Sequence, residues 1–63
     1  MNITVLGAGK SGIAAALLAH RKGNRVFLSE YQSLEYHRPA AAKLDSVGID
    51  YEFGGHSERT LLH

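Results

Sequence analysis

The chain has 63 residues, a formal net charge of +1, no cysteine and no pair of histidines at helical spacing. These features exclude disulfides and the usual thiolate or paired-histidine metal sites, and they give no basic surface for nucleic acid or for an anionic membrane. Because 44% of the residues are hydrophobic but no apolar run resembles a membrane span or a signal peptide, we expect a cytoplasmic, folded α/β unit.

The first part of the chain predicts a strand, a glycine-rich turn and a helix. Ile3–Leu6 is apolar and rich in β-branched residues, which is typical of a parallel strand buried on both faces. Ile13–Lys22 is alanine-rich with an apolar stripe, and Gly23 suits the position just after a helix. Gly7–Gly12 forms the turn between the strand and the helix.

The second part predicts two further strands, a second helix and a third, short helix. These elements are, in order, strand Arg25–Ser29, helix Pro39–Val47, strand Ile49–Phe53 and helix Glu58–Leu62 capped by Ser57. Gly48 suits the end of the second helix. This helix could also begin earlier, near Ser33, with Pro39 in its first turns. The connection Tyr31–Arg38 is polar and has no clear period.

This β-α-β-α-β order predicts a Rossmann-like half with a parallel sheet, right-handed crossovers and the strand order 3-2-1. We expect residues 1–63 to be one partial domain, the N-terminal nucleotide-binding part of a larger protein, truncated before a fourth strand. Without that strand the first strand is an open edge, and two copies of the chain could pair there as a homodimer.

Gly7, Gly9 and Gly12 have the G-x-G-x-x-G spacing of a nucleotide-binding turn. Gly7 permits a tight turn, Gly9 lets the backbone approach a phosphate closely, and Gly12 lets the helix pack on the strand. The N-terminus of the following helix adds N–H groups and a partial positive charge that attract an anion. The alternative is a glycine turn that only packs the helix against the sheet.

Two polar residues lie inside this motif. Lys10 opposes the helix dipole by about 0.3–1 kcal/mol, which points to an anionic partner such as a phosphate unless the lysine is simply solvated. Ser11 either donates to a phosphate or caps the first turn of the helix, and we favour the cap. Gly9-Lys10-Ser11 is not the end of an ATP-hydrolysing P-loop, because Thr4 stands where that loop needs a glycine.

Glu30 follows the second strand, 18 residues after Gly12. In dinucleotide folds an acid at this place accepts hydrogen bonds from ribose hydroxyls, and the alternative is an acid exposed to water. No arginine follows it directly, which disfavours NADP. The six carboxylates show no paired arrangement for acid–base catalysis, so we predict no catalytic residue and no metal ligand.

Three stretches together resemble the beginning of the Mur ligases, namely Val5–Ala16, Gly23–Glu30 and Gly48–His56. The resemblance covers nearly the whole chain and depends most on the Lys-Ser pair inside the glycine motif and on the Gly-Gly-His stretch. It implies an ATP-dependent amide ligase of peptidoglycan synthesis, of the branch that adds D-glutamate. The ATP, the magnesium ions and the catalytic groups would then bind in later domains.

The resemblance also implies which residues bind the substrate. The first domain of the family binds the UDP end of its substrate, here UDP-N-acetylmuramoyl-L-alanine. In the turn that Gly7 opens, the residues lining the diphosphate would be Gly9, Lys10, Ser11 and Gly12, and those near the uridine would be Glu30, Tyr31 and Gln32. The family often has aspartate in place of Glu30, and some members have arginine in place of Gln32, so the contact made by that arginine is missing.

The residues themselves leave a second class of function open. The same glycine turn and Glu30 would suit an NAD-binding Rossmann module, in a dehydrogenase or in a potassium-uptake regulatory domain. In that case the glycine turn holds a pyrophosphate and Glu30 holds the adenosine ribose. The two interpretations predict different ligands, because the ligase binds a UDP-sugar nucleotide and no NAD.

Overall fold

The computed structural model describes residues 1–56. Its elements are, in order, β1 (Asn2–Leu6), α1 (Lys10–Arg21), β2 (Arg25–Glu30), a 3₁₀ turn (Leu34–His37), α2 (Arg38–Val47) and β3 (Asp50–Phe53). The predicted helix Glu58–Leu62 and its cap Ser57 lie outside the described residues. Neither α1 nor α2 has the length and apolar character of a membrane-crossing helix.

The three strands form one parallel sheet in the order β1-β2-β3, with β2 in the centre. The predicted order 3-2-1 is the same arrangement read from the other edge, so the α/β fold class is confirmed. The register places Leu6 beside Ser29 and Ser29 beside Glu52. The carboxyl ends of all three strands therefore lie at one edge of the sheet. The pairing of two copies through β1 stays a prediction.

The core lies between the sheet and the two helices. Leu28 of β2, Ala16 of α1 and Leu44 of α2 are completely buried and belong to one apolar cluster. Burying a leucine side chain stabilises a fold by about 1.5–3 kcal/mol. Every residue of β2 after Arg25 is buried, because this strand has neighbours on both sides and helices packed against it.

Helix α1 begins at Lys10, so the predicted start at Ile13 is wrong. Gly9 has extended backbone angles and is the residue before the helix, and its carbonyl oxygen already accepts a hydrogen bond from the Ile13 N–H at 2.9 Å. The glycine motif is therefore split between a turn and the first turn of the helix. This split places Lys10, Ser11 and Gly12 at the positive end of the helix dipole.

Helix α2 begins at Arg38, one residue before the predicted start, and the connection before it contains the 3₁₀ turn. Such short turns have no apolar period that a sequence could reveal. The end of α2 is as predicted: Gly48 has φ of +79°, and the N–H groups of Gly48 and Ile49 donate to the carbonyls of Asp45 and Leu44. These two bonds satisfy carbonyl groups at the end of the helix that have no hydrogen-bond donor within it.

Candidate functional site

The glycine turn after β1 depends on two glycines for its shape. Gly7 has φ of +107°, which side chains other than glycine rarely adopt, and its N–H donates to the Ser29 carbonyl at 2.8 Å. A Cβ placed on Gly12 would lie 2.1 Å from the Gly7 carbonyl oxygen. Gly12 is therefore required for α1 to begin directly against the turn.

Gly9 has a different environment from the other two glycines of the motif. Its φ of −69° suits any residue, and a Cβ placed there would have no heavy atom within 4 Å. The fold itself thus gives no reason for a glycine at this position. The empty space lies at the N-terminus of α1, where unpaired backbone N–H groups face outward.

Lys10 and Ser11 are exposed residues in the first turn of α1. Ser11 lies inside the helix and makes no capping hydrogen bond. The prediction that it caps the helix is therefore wrong, because Gly9 occupies the capping position. Both residues directly follow Gly9 in the chain. The first turn of α1 carries no acidic residue that would neutralise Lys10.

Glu30 is only 8% exposed, so the alternative of a solvated acid at the strand end is wrong. Its Oε1 accepts the Ala8 N–H at 2.6 Å, and its Oε2 accepts the Gln32 N–H at 2.8 Å. The backbone N–H groups of Gln32 and Ala8 hold the pKa of this carboxyl below its ordinary value, despite the opposing effect of burial. The carboxylate therefore fastens the glycine turn to the end of β2.

His37 also lies at this edge, although it is not among the predicted site residues. Its Nε2 lies 3.1 Å from Gln32 Oε1 and 3.7 Å from Glu30 Oε1. Its ring stacks on Phe53, with the ring centroids 5.7 Å apart. No motif marks His37, because the 3₁₀ turn and not a fixed spacing carries it back to β2. Tyr31, which was predicted to lie near the uridine, is 75% exposed.

The turn after β3 is tied to the same end of β2 through its backbone. The Gly54 N–H donates to the Gln32 carbonyl at 2.9 Å, and the Gly55 N–H donates to the Glu30 carbonyl at 3.2 Å. Both glycines have positive φ angles. Because of these bonds, the turns after β1 and β3 both border Glu30–Gln32.

A second polar cluster lies beside this edge and joins β2, β3 and the turn after β3. The hydroxyl of Ser29 donates to Glu52 Oε2 at 2.7 Å, and Ser29 Oγ lies 2.5 Å from His56 Nδ1. Ser29 is completely buried, whereas His56 is exposed. The sequence showed the polar residues but not their contact, because the contact depends on the parallel register of β2 and β3.

Together the three turns bring a helix N-terminus, a lysine and several hydrogen-bonding side chains to the carboxyl edge of the sheet. In open α/β sheets this is the edge at which ligands bind. Within residues 1–56, histidine, aspartate and glutamate side chains form no group of three or more that could hold a metal ion. The arrangement therefore suits recognition of an anionic nucleotide.

Another concave surface lies away from this edge of the sheet. A groove of about 310 Å³ lies between the two helices and is lined by Leu17, His20, Arg21, Lys43, Ser46 and Val47. None of these residues belongs to the glycine motif or to the end of β2. The groove and the candidate site are therefore separate features of the molecule.

Comparison with known proteins identifies the family of the chain. A protein of Chlorobaculum tepidum named UDP-N-acetylmuramoylalanine–D-glutamate ligase is 52% identical over 58 residues, which is 92% of this chain and 12% of the relative. By sequence, the chain belongs to the Mur ligase family. Proteins of the same name from Salinibacter ruber and Porphyromonas gingivalis are 47% identical over 92% of the chain and 44% identical over 97%.

The predicted membership of the Mur ligases is thereby confirmed. The chain spans 12–13% of the length of these relatives, so it corresponds to a small part of a ligase. No family model and no solved structure matches the chain.

Proposed function

We propose that the carboxyl edge of this sheet binds the UDP portion of UDP-N-acetylmuramoyl-L-alanine. The chain would be the N-terminal part of a cytoplasmic, ATP-dependent ligase that adds D-glutamate during peptidoglycan synthesis. The observation that carries this proposal is the 52% identity to a ligase whose name specifies that substrate, over a match of 58 residues. ATP and magnesium would bind outside this segment.

The first turn of α1 is the proposed position of the diphosphate. The space beside Gly9 is open, and Lys10 adds a cation to the N–H groups at the N-terminus of the helix. Ser11 is exposed and able to donate its hydroxyl to a phosphate oxygen. Gly7 and Gly12 act indirectly, because they shape the turn that presents these groups.

The uridine is proposed to lie against Glu30, Tyr31 and Gln32 at the end of β2. Each carboxylate oxygen of Glu30 already accepts one backbone N–H but has capacity for a further donor from the nucleoside. Glu30 would therefore both order the glycine turn and contact the ligand. Tyr31 is exposed enough to pack on a base, and the Gln32 side chain is oriented by His37.

Calorimetric titration of the complete protein with UDP-N-acetylmuramoyl-L-alanine and, separately, with NAD tests this proposal. We expect the UDP compound to bind and NAD to give no heat of binding. Tight NAD binding without a response to the UDP compound would instead make the chain a dinucleotide-binding module.

A charge-removal pair tests where the diphosphate lies. Lys10→Ala should weaken binding of the UDP compound about tenfold, which corresponds to one charge-assisted hydrogen bond. Lys22→Ala removes the same charge from the opposite end of α1 and is the matched control, with unchanged affinity. Equal effects of the two variants on the dissociation constant would refute the position of the diphosphate at the N-terminus of α1.

A further inference from the structure

The Ser29–Glu52–His56 cluster contains a hydrogen-bond chain whose direction is fixed by chemistry. A carboxylate only accepts, so the Ser29 hydroxyl donates its proton to Glu52 Oε2 across 2.7 Å. The hydroxyl has one proton, and this contact uses it. Toward His56 Nδ1, which lies 2.5 Å away, Ser29 Oγ is therefore the acceptor.

This direction determines the state of the His56 ring. Nδ1 carries the proton and donates it to Ser29, so in the neutral imidazole Nε2 has a free lone pair and is an acceptor. Ser29 is completely buried while His56 is exposed. The ring thus directs Nδ1 toward the interior of the protein and Nε2 away from it.

His56 also lies beside the proposed nucleotide site. Gly55, the preceding residue, donates its N–H to the Glu30 carbonyl. The charge of His56 contributes to lowering the pKa of the Glu30 carboxyl, as a smaller effect than the two backbone hydrogen bonds to that group. His56 is thereby placed at the same edge as the glycine turn, on the side formed by β3.

We propose that His56 is a specificity-determining residue of the nucleotide site, whose Nε2 accepts a hydrogen bond from an O–H or N–H donor of the bound nucleoside. Ser29 and Glu52 are positioning residues that hold its ring and its tautomer. The inference rests on the proposed function, because it takes the occupant of the edge to be a nucleotide. His56 lies in the turn after β3. It would add a ligand-contacting residue to those proposed in the turns after β1 and β2.

The tautomer is tested without any ligand. Nitrogen-15 NMR of histidine-labelled complete protein, assigned by the signal missing in His56→Gln, should show neutral His56 protonated at Nδ1. Ser29→Ala should move this signal toward the Nε2-protonated form. A wild-type His56 protonated at Nε2 would overturn the inference, whatever the ligand of the edge is.

Two amide variants separate ligand contact from support of the fold. The amide of asparagine overlaps Nδ1 and keeps the Ser29 contact, whereas the amide of glutamine overlaps Nε2. We expect His56→Asn to weaken UDP binding about tenfold, the scale of one lost hydrogen bond, and His56→Gln to weaken it much less. The reverse order, or equal affinities, would contradict a ligand contact through Nε2.

UDP analogues identify the donor. Binding of UDP, 2′-deoxy-UDP, 3′-deoxy-UDP and N3-methyl-UDP is measured with wild-type protein and His56→Asn, as a double-substitution cycle. For the analogue that lacks the relevant donor, the asparagine variant should cause no further loss. If the losses caused by the analogue and by His56→Asn are additive for all three analogues, the inference about His56 is overturned. UDP binding by the wild type would in that case still uphold the proposed function. Absence of UDP binding by the wild type would instead refute the proposed function itself.

Discussion

The turns after β1 and β3 lie on either side of the same strand end, yet they are attached to it by different chemistry. The turn after β3 is held by backbone bonds from Gly54 and Gly55. The turn after β1 has one such bond, from Gly7, and is otherwise held by the Glu30 carboxylate on Ala8. The first turn is therefore attached through the charge of Glu30, whereas the second is attached to the same strand by backbone bonds and by the contact of His56 with Ser29.

The glycines of the turn after β1 also differ from one another. In the turn after β1, glycine is needed for the fold at Gly7 and Gly12, whereas the space at Gly9 is empty. A motif that is continuous in sequence thus divides into two positions where the fold needs glycine and one where a Cβ would meet no other atom.

Gly12→Ala should have the largest effect, because its Cβ would meet the Gly7 carbonyl oxygen at 2.1 Å and the backbone would have to move. We expect a loss of about 3 kcal/mol in local stability, the upper range for overpacking. Hydrogen exchange of residues 5–16 in the complete protein measures it. Gly9→Ala is the matched control and should stay within about 0.5 kcal/mol of wild type; equal destabilisation would remove the distinction between the two glycines.

Glu30→Gln should have the next largest effect and should act on one turn only. The variant loses the charge in one buried and one partly buried hydrogen bond, for which we expect a cost of about 2 kcal/mol. Amide exchange should accelerate at Ala8 and Gln32 but not at Gly54 and Gly55, whose acceptors are backbone carbonyls. Uniform acceleration at all four amides would mean that the two turns open together.

The same carboxylate predicts a pH dependence. Hydrogen bonds from Gln32 and Ala8 lower the pKa of Glu30 below its ordinary value of 4.5, so the folded state favours the ionised form. The stabilisation is fully present above pH 4.5 and is lost as the pH falls through the lower pKa of the folded state. In the wild type, amide exchange at Ala8 should therefore accelerate as the pH falls. Glu30→Gln should not show this acceleration. Glu35→Gln, which changes an exposed carboxylate, is the control and should still show it.

Tyr51→Phe should have the smallest effect. It removes an exposed hydrogen bond from the tyrosine hydroxyl to Asp45 Oδ1, 2.9 Å long, between β3 and α2. This bond to Asp45 also raises the pKa of the Tyr51 hydroxyl. Amide exchange in both turns should match that of the wild type, and a change at Ala8 or Gly54 would show that the edge is coupled to the helices.

The sequence predicted the elements well where the signal is local. The apolar stretch in β1, the alanine-rich stripe in α1 and the glycines at positions 23 and 48 each indicate structure within a few residues. The start of α1 was misplaced because the glycines concealed the first turn of the helix. The 3₁₀ turn Leu34–His37 falls where the sequence allowed the second helix to begin early, near Ser33, but its residues have no repeating pattern that would distinguish it from that helix.

The candidate site was predictable only in part, because its contacts cross between elements. The spacing of the glycines and of Glu30 locates the edge. The burial of Glu30 and its bond to Ala8 depend on the path of the turn after β1. The contact of Ser29 with Glu52 and His56 depends on the register of two strands that lie far apart in sequence, which no local pattern encodes.

The most direct test is the affinity of the complete protein for UDP-N-acetylmuramoyl-L-alanine, measured for wild type and Gly9→Val together with their melting temperatures. The valine side chain fills a space that the fold leaves open and that lies at the proposed position of the diphosphate. We predict a melting temperature lowered by at most a few degrees, because valine is a poorer residue than glycine at the start of a helix. We also predict at least about a hundredfold weaker binding, equivalent to about 3 kcal/mol of steric overlap. Unchanged affinity in Gly9→Val would contradict the assignment of this turn to the nucleotide.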